Sequence, residues 1–174
     1  MIPSWIDNSA AGTNAINSIT VADNTQSSVI TFPNLGFVQV GSVGITGNSA
    51  SSVGILDVSA TITGSLNIAS NDGAALTLET PKLQSIGGSL AVITNTHLGG
   101  AVLDLQDLIS VGSALIDENI DLNGVSLASL TTVSPASIVI QNNNDLTTVS
   151  LDSLGAVDAL VMISSTGQPS LTTI

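Results

Sequence analysis

The chain has 174 residues, 43% of them hydrophobic, with a single Lys, no Arg, 13 Asp and Glu, a formal net charge of -12 and no cysteine. This is enough apolar material for one domain with a continuous core, but a lone cation excludes the clustered Lys and Arg that grip nucleic acid or an anionic membrane surface. Missing thiols exclude disulfides, thiolate metal sites and cysteine nucleophiles, and no apolar run approaches the roughly 18 residues of a membrane span, so membrane insertion is not expected.

In chain order, residues 1–18 begin with "MIPSWIDNSAAG" and read as an N-terminal cap or connecting segment, with Ile2, Trp5 and Ile6 available to close a first coil. The segment lacks the basic region and apolar core of a signal peptide, so the chain reads as a mature form, a fragment or a protein exported another way. From residue 19 to 174 a phrase repeats. Its asparagines stand at Asn24, Asn48, Asn71, Asn95, Asn119 and Asn143, separated by 24, 23, 24, 24 and 24 residues; a seventh copy has Thr166 in that place.

Three and five residues before these asparagines stand apolar pairs: Ile19 and Val21, Val43 and Ile45, Leu66 and Ile68, Leu90 and Val92, Ala114 and Ile116, Ile138 and Ile140. Apolar residues two apart mark a short strand that buries one face. A second block, "ITFPNLGFV" (30–38), "LDLQDLISV" (103–111), "VSLASLTTV" (125–133) and "VSLDSLGAV" (149–157), is apolar at its positions 1, 3, 6 and 9. Those three-residue steps suit a strand followed by corners that keep turning apolar residues inward.

One such repeat cannot bury its apolar face alone and is completed by its neighbours, which makes a solenoid. The reading is therefore an all-β parallel β-helix (β-solenoid) of about seven coils, each ~24 residues long, over 19–174. Gly, Ser, Thr, Asn and β-branched residues oppose the helical alternative. The asparagines are expected to form a structural column, each bonding its neighbours and the turn backbone and tolerating the left-handed conformation of a turn. Gly41, Gly64, Gly87, Gly88 and Gly112 precede the same strand, where positive φ or close coil packing explains them.

The phrase "LQSIGGSLAVITN" (83–95), and more loosely "LISVGSALIDEN" (108–119), resembles the receptor L domain repeat. That resemblance, over about residues 19–174, implies a right-handed β-helix related to leucine-rich repeats and a cell-surface or extracellular scaffold. It carries over no catalytic residue. The chain departs from receptor members in lacking every cysteine, and from fungal wall members in lacking glycosylation sequons and a C-terminal hydrophobic anchor signal.

Several constellations invite chemistry. "DENIDLNG" (117–124) sets Asp117, Asn119, Asp121 and Asn123 at alternate positions like the start of a calcium loop, yet the sixth position, where such a loop wants Gly, is Leu122. Pairs such as Asp104 with Asp107, or Glu79 with a neighbouring coil, could serve acid–base work, but 2% aromatics and one cation leave little for a sugar platform or for developing negative charge. His97, in "NTHLGG", reads as an exposed corner residue. Outward residues between the paired strand positions run Thr20, Gly44, Asn67, Ala91, Leu115, Val139 and Met162; the last four form an apolar contact stripe.

No catalytic residue, resident metal or cofactor is expected. The sequence reads as a non-catalytic extracellular or cell-surface module, structural or adhesive, that self-associates as a homo-oligomer or filament through its solenoid ends. The chain stops with "LTTI", still inside the repeat. One alternative is an L-domain-type recognition module for a protein or glycan. A lesser one is an ice-binding solenoid, for which the pairs Thr131/Thr132 and Thr147/Thr148 are suggestive but form no continuous row.

Overall fold

The computed structural model describes residues 6–7, 15–23, 29–32, 39–49, 52–56, 61–72, 83–157 and 160–164. Asn24, Thr166, Ile2, Trp5, Glu79, Lys82 and the closing "LTTI" lie outside the described residues. Within them the chain is all-β, without a helix.

One sheet carries the strands Ala15–Ala22, Gln39–Thr46, Leu66–Ala69, Ser85–Ile93, Ser110–Asp117, Ile138–Gln141 and Val161–Ser164, each parallel to the next. Register follows the repeat: Leu66 pairs with Leu90, Leu90 with Ala114, and Ala114 with Ile138. Where a rung is interrupted, the short strands Thr61–Ile62, Thr132–Val133 and Ala156–Val157 continue the same ladder ahead of the break. A return wall is formed by Ala101–Asp104, Leu122–Ser126 and Thr148–Ser150, and, in earlier turns, by Val29–Phe32 with Ser52–Leu56.

The stack amounts to about five turns, ~24 residues apart, against the seven coils expected. The expectation counted strand positions, and the principal sheet does hold seven rungs. A turn also needs a return strand, and among the described residues five rungs are followed by one: Val29–Phe32, Ser52–Leu56, Ala101–Asp104, Leu122–Ser126 and Thr148–Ser150. The first rung starts at Ala15, inside the segment expected to be a cap, and the strand Ile6–Asp7 pairs antiparallel against it, Ile6 opposite Ile19 and Asp7 opposite Ser18.

The core lies between the two walls as columns of like residues. Ile19, Val43, Leu66, Leu90, Ala114 and Ile138 make one; Val21, Ile45, Ile68, Val92, Ile116 and Ile140 the next; all are buried. The three-residue steps of the second block behave as expected: Leu103, Leu105, Leu108 and Val111 are buried, as are Val125, Leu127, Leu130 and Val133 one turn later. Burying one such side chain is worth roughly 1.5–3 kcal/mol, and the vertical stacking means each turn gains it only from the turns beside it.

Of the two explanations open for the glycines, close packing is the one realised. A Cβ at Gly112 would stand 2.6 Å from the Gly88 carbonyl oxygen and 2.8 Å from that of Gly87, and neither Gly112 nor the other four has a positive φ.

Candidate functional site

The corner after each principal strand is the most regular polar feature of the molecule. Asn48, Asn71, Asn95, Asn119 and Asn143 point inward and are buried. Asn48 Nδ2 donates to Asn71 Oδ1 at 2.9 Å, Asn71 to Asn95 at 2.9 Å, Asn95 to Asn119 at 2.8 Å and Asn119 to Asn143 at 2.9 Å. Each Oδ1 also accepts the backbone N–H of the preceding asparagine, at 3.0–3.2 Å. The second Nδ2 proton goes backward, to the carbonyls of Val21, Ile45, Ile68, Val92 and Ile116. A buried amide must place two donors and its acceptor lone pairs, and in Asn71, Asn95 and Asn119 all are used.

The left-handed residue is not the asparagine. Positive φ falls on the residue before it, Asp23, Gly47, Ser70, Thr94, Glu118 and Asn142, at 52–64°. This corrects the sequence expectation. The chain must reverse direction just before the ladder so that the amide can face in, and the strain is placed on a residue whose side chain points out; only Gly47 carries it without a Cβ.

The residues on either side of each ladder asparagine therefore face solvent and form two ridges along the solenoid axis. Between them runs a groove of about 410 Å³ lined by Thr94 and Thr96, Glu118 and Ile120, and Asn142 and Asn144. Several neighbours are fixed across turns. Gln141 Nε2 and Asn142 Nδ2 donate to the two Asp117 carboxylate oxygens, both at 2.9 Å. Thr96 Oγ1 donates to Asp72 Oδ1 at 2.9 Å, and His97 Nδ1 lies 2.6 Å from the same oxygen. The His97 imidazole, and after it the Thr96 hydroxyl, hold the exposed Asp72 carboxyl below the usual aspartate range.

The calcium-loop alternation is not brought together. Asn119 is turned inward with its oxygen spent on Asn95, so the second of the four residues has nothing to offer a cation. The Asp117 carboxylate accepts the two amides of Gln141 and Asn142. Among the described residues no three His, Asp or Glu side chains gather as a metal site. Asp104 accepts the Gln106 N–H at 3.1 Å within its own turn, and His97 is exposed at its corner, as read.

The stripe does stand in one column, in register from Thr20 through Gly44, Asn67, Ala91, Leu115 and Val139 to Met162. Thr61, Ser85, Ser110 and Thr132 form a hydroxyl column ending at Ala156, in which Ser110 Oγ donates to Ser85 Oγ at 3.0 Å. One further ladder went unread. Ser42 Oγ accepts the Ser65 N–H at 3.2 Å and Ser65 Oγ the Ser89 N–H at 3.1 Å; the recurring Gly-Ser pairs 41–42, 64–65 and 88–89 were its visible signal.

No family model matches the chain, and neither does any curated protein or solved structure.

Proposed function

We propose that the chain is a non-catalytic β-solenoid module of the cell surface or extracellular space, structural or adhesive, that associates with copies of itself through its Val161–Ser164 rung. The carrying observation is an uncovered core position: Val161 exposes 39% of its surface, whereas Ile138, its partner one turn earlier, exposes 0%. Leu160 beside it is 58% exposed, and the outward stripe grows apolar toward the same rung. A solenoid turn leaves its apolar face and strand edge to be covered by the next unit.

At the opposite end the antiparallel Ile6–Asp7 strand interrupts parallel stacking. Filament growth then requires that strand to move aside; without that, association stops at a pair joined rung to rung. The kinship with the receptor L domain repeat belongs to the same proposal and rests on the phrase at 83–95.

Sedimentation velocity across concentration and ionic strength tests the reading. Association should strengthen as salt screens the net charge of -12 and should be lost in Val161→Asp. A particle that stays monomeric throughout, or a variant that associates like the parent, rejects it.

A further inference from the structure

We propose that the corner groove binds an unbranched neutral glycan laid along the solenoid axis. This goes beyond self-association and rests on residues 94–144 alone. The groove walls are the residues flanking Asn95, Asn119 and Asn143, so wall positions recur at each turn, at the ~4.8 Å spacing of paired strands, while the side chains change from two threonines to Glu118 and Ile120 to two asparagines. An extended chain laid along these positions meets a wall at every turn, which favours a linear polymer over a compact molecule.

The lining sets the chemical class. Thr94 and Thr96 present hydroxyls, Asn142 and Asn144 amides, and Glu118 a carboxylate, a mixture of donors and acceptors suited to ring hydroxyls, which are both at once. Ile120, 44% exposed in the middle of the row, supplies the apolar contact that a sugar's C–H face requires. Anionic chains are disfavoured, because the net charge is -12, Glu118 lies in the wall and the described residues contain no Lys or Arg.

The site is also pre-organised. Asn142 is tied to Asp117 and Thr96 to Asp72, so these two side chains have little freedom to lose on binding. The volume of about 410 Å³ falls within the range of small-ligand clefts.

The test is an array of unbranched neutral oligosaccharides of several linkages, their uronate counterparts and a lysine-rich peptide, probed with the full chain and with Val161→Asp. The strongest binder is then titrated by calorimetry against Asn144→Ala and Ile120→Ser. A neutral oligosaccharide should bind the full chain and Val161→Asp alike, with affinity rising with the number of sugar units. Each groove variant should weaken it roughly tenfold, about the loss of one good hydrogen bond or apolar contact, with unchanged thermal melting. Capture of no neutral chain, preference for the uronates or the peptide, or binding indifferent to both groove substitutions overturns the proposal. Since Val161 is not among the residues that line the groove, failure here and failure of self-association are read separately.

Discussion

Asn95→Ala should cost far more than one hydrogen bond. Asn95 is fully buried, and its side chain accepts from Asn71 N and Asn71 Nδ2 and donates to the Ile68 carbonyl and Asn119 Oδ1. In the alanine variant Asn119 Oδ1 keeps the Asn95 backbone N–H, but both Asn71 donors and the Ile68 carbonyl lose these partners. A buried polar group left unpaired costs about 1–3 kcal/mol, and a water entering the vacated space relieves part of that; a loss of about 3–6 kcal/mol is expected. Urea denaturation followed by circular dichroism reads it, with the exposed Asn144→Ala as control. A double-mutant cycle sharpens the test. The Asn71 Nδ2 donor, orphaned by Asn95→Ala, is absent once Asn71 is also alanine, so the double variant should lose about 1–3 kcal/mol less than the two single losses combined. A single-variant loss under about 1 kcal/mol, or strict additivity, would refute the ladder as a coupled network.

Leu90→Ala, in a fully buried column between Leu66 and Ala114, should lose about 2–5 kcal/mol in the same assay; near-neutrality would mean that the column is misassigned. Gly112→Ala meets two backbone oxygens whereas Gly44→Ala meets nothing within 4 Å, so the first should lose at least 1–3 kcal/mol by overpacking and the second should be neutral or stabilising; equal effects would contradict close coil contact. Thr94, β-branched at φ 52°, carries about 1–2 kcal/mol of left-handed strain that Thr94→Gly relieves at an entropic cost of roughly 0.5–1 kcal/mol, so its midpoint should rise slightly, and a fall would contradict the strain. For Asp72 the folded carboxyl titrates below its unfolded value, so its contribution is complete above about pH 4 and is lost as pH falls through its own lower midpoint; carboxyl NMR should show that midpoint rising in His97→Gln, and no movement would remove His97 as the cause.

The sequence alone determined which positions stack. In a solenoid the tertiary neighbour of a residue is its equivalent one repeat away, so a period of 23 or 24 in the text is already a contact map. That is why the pairing of Leu90 with Leu66 and Ala114, the asparagine column and the apolar steps of 103–111 were legible before any coordinates. Local conformation was not, because a period says which residues meet and nothing about their dihedral angles. Only the tertiary structure decided that Thr94 and Glu118 take the left-handed turn so that Asn95 and Asn119 can face in, that Gly112 is demanded by the Gly87 and Gly88 carbonyls, and that an antiparallel Ile6–Asp7 lies on the first rung. The same limit hid the geometry of the corner. Asp117 and Asn119 look like two ligands of one cation when read in line, but the backbone reversal at Glu118 turns Asn119 into the core, while Asp117 is claimed by Gln141 and Asn142 from the next turn. The groove beside them is made by that reversal, since flanking residues become parallel ridges only when the residue between them points inward.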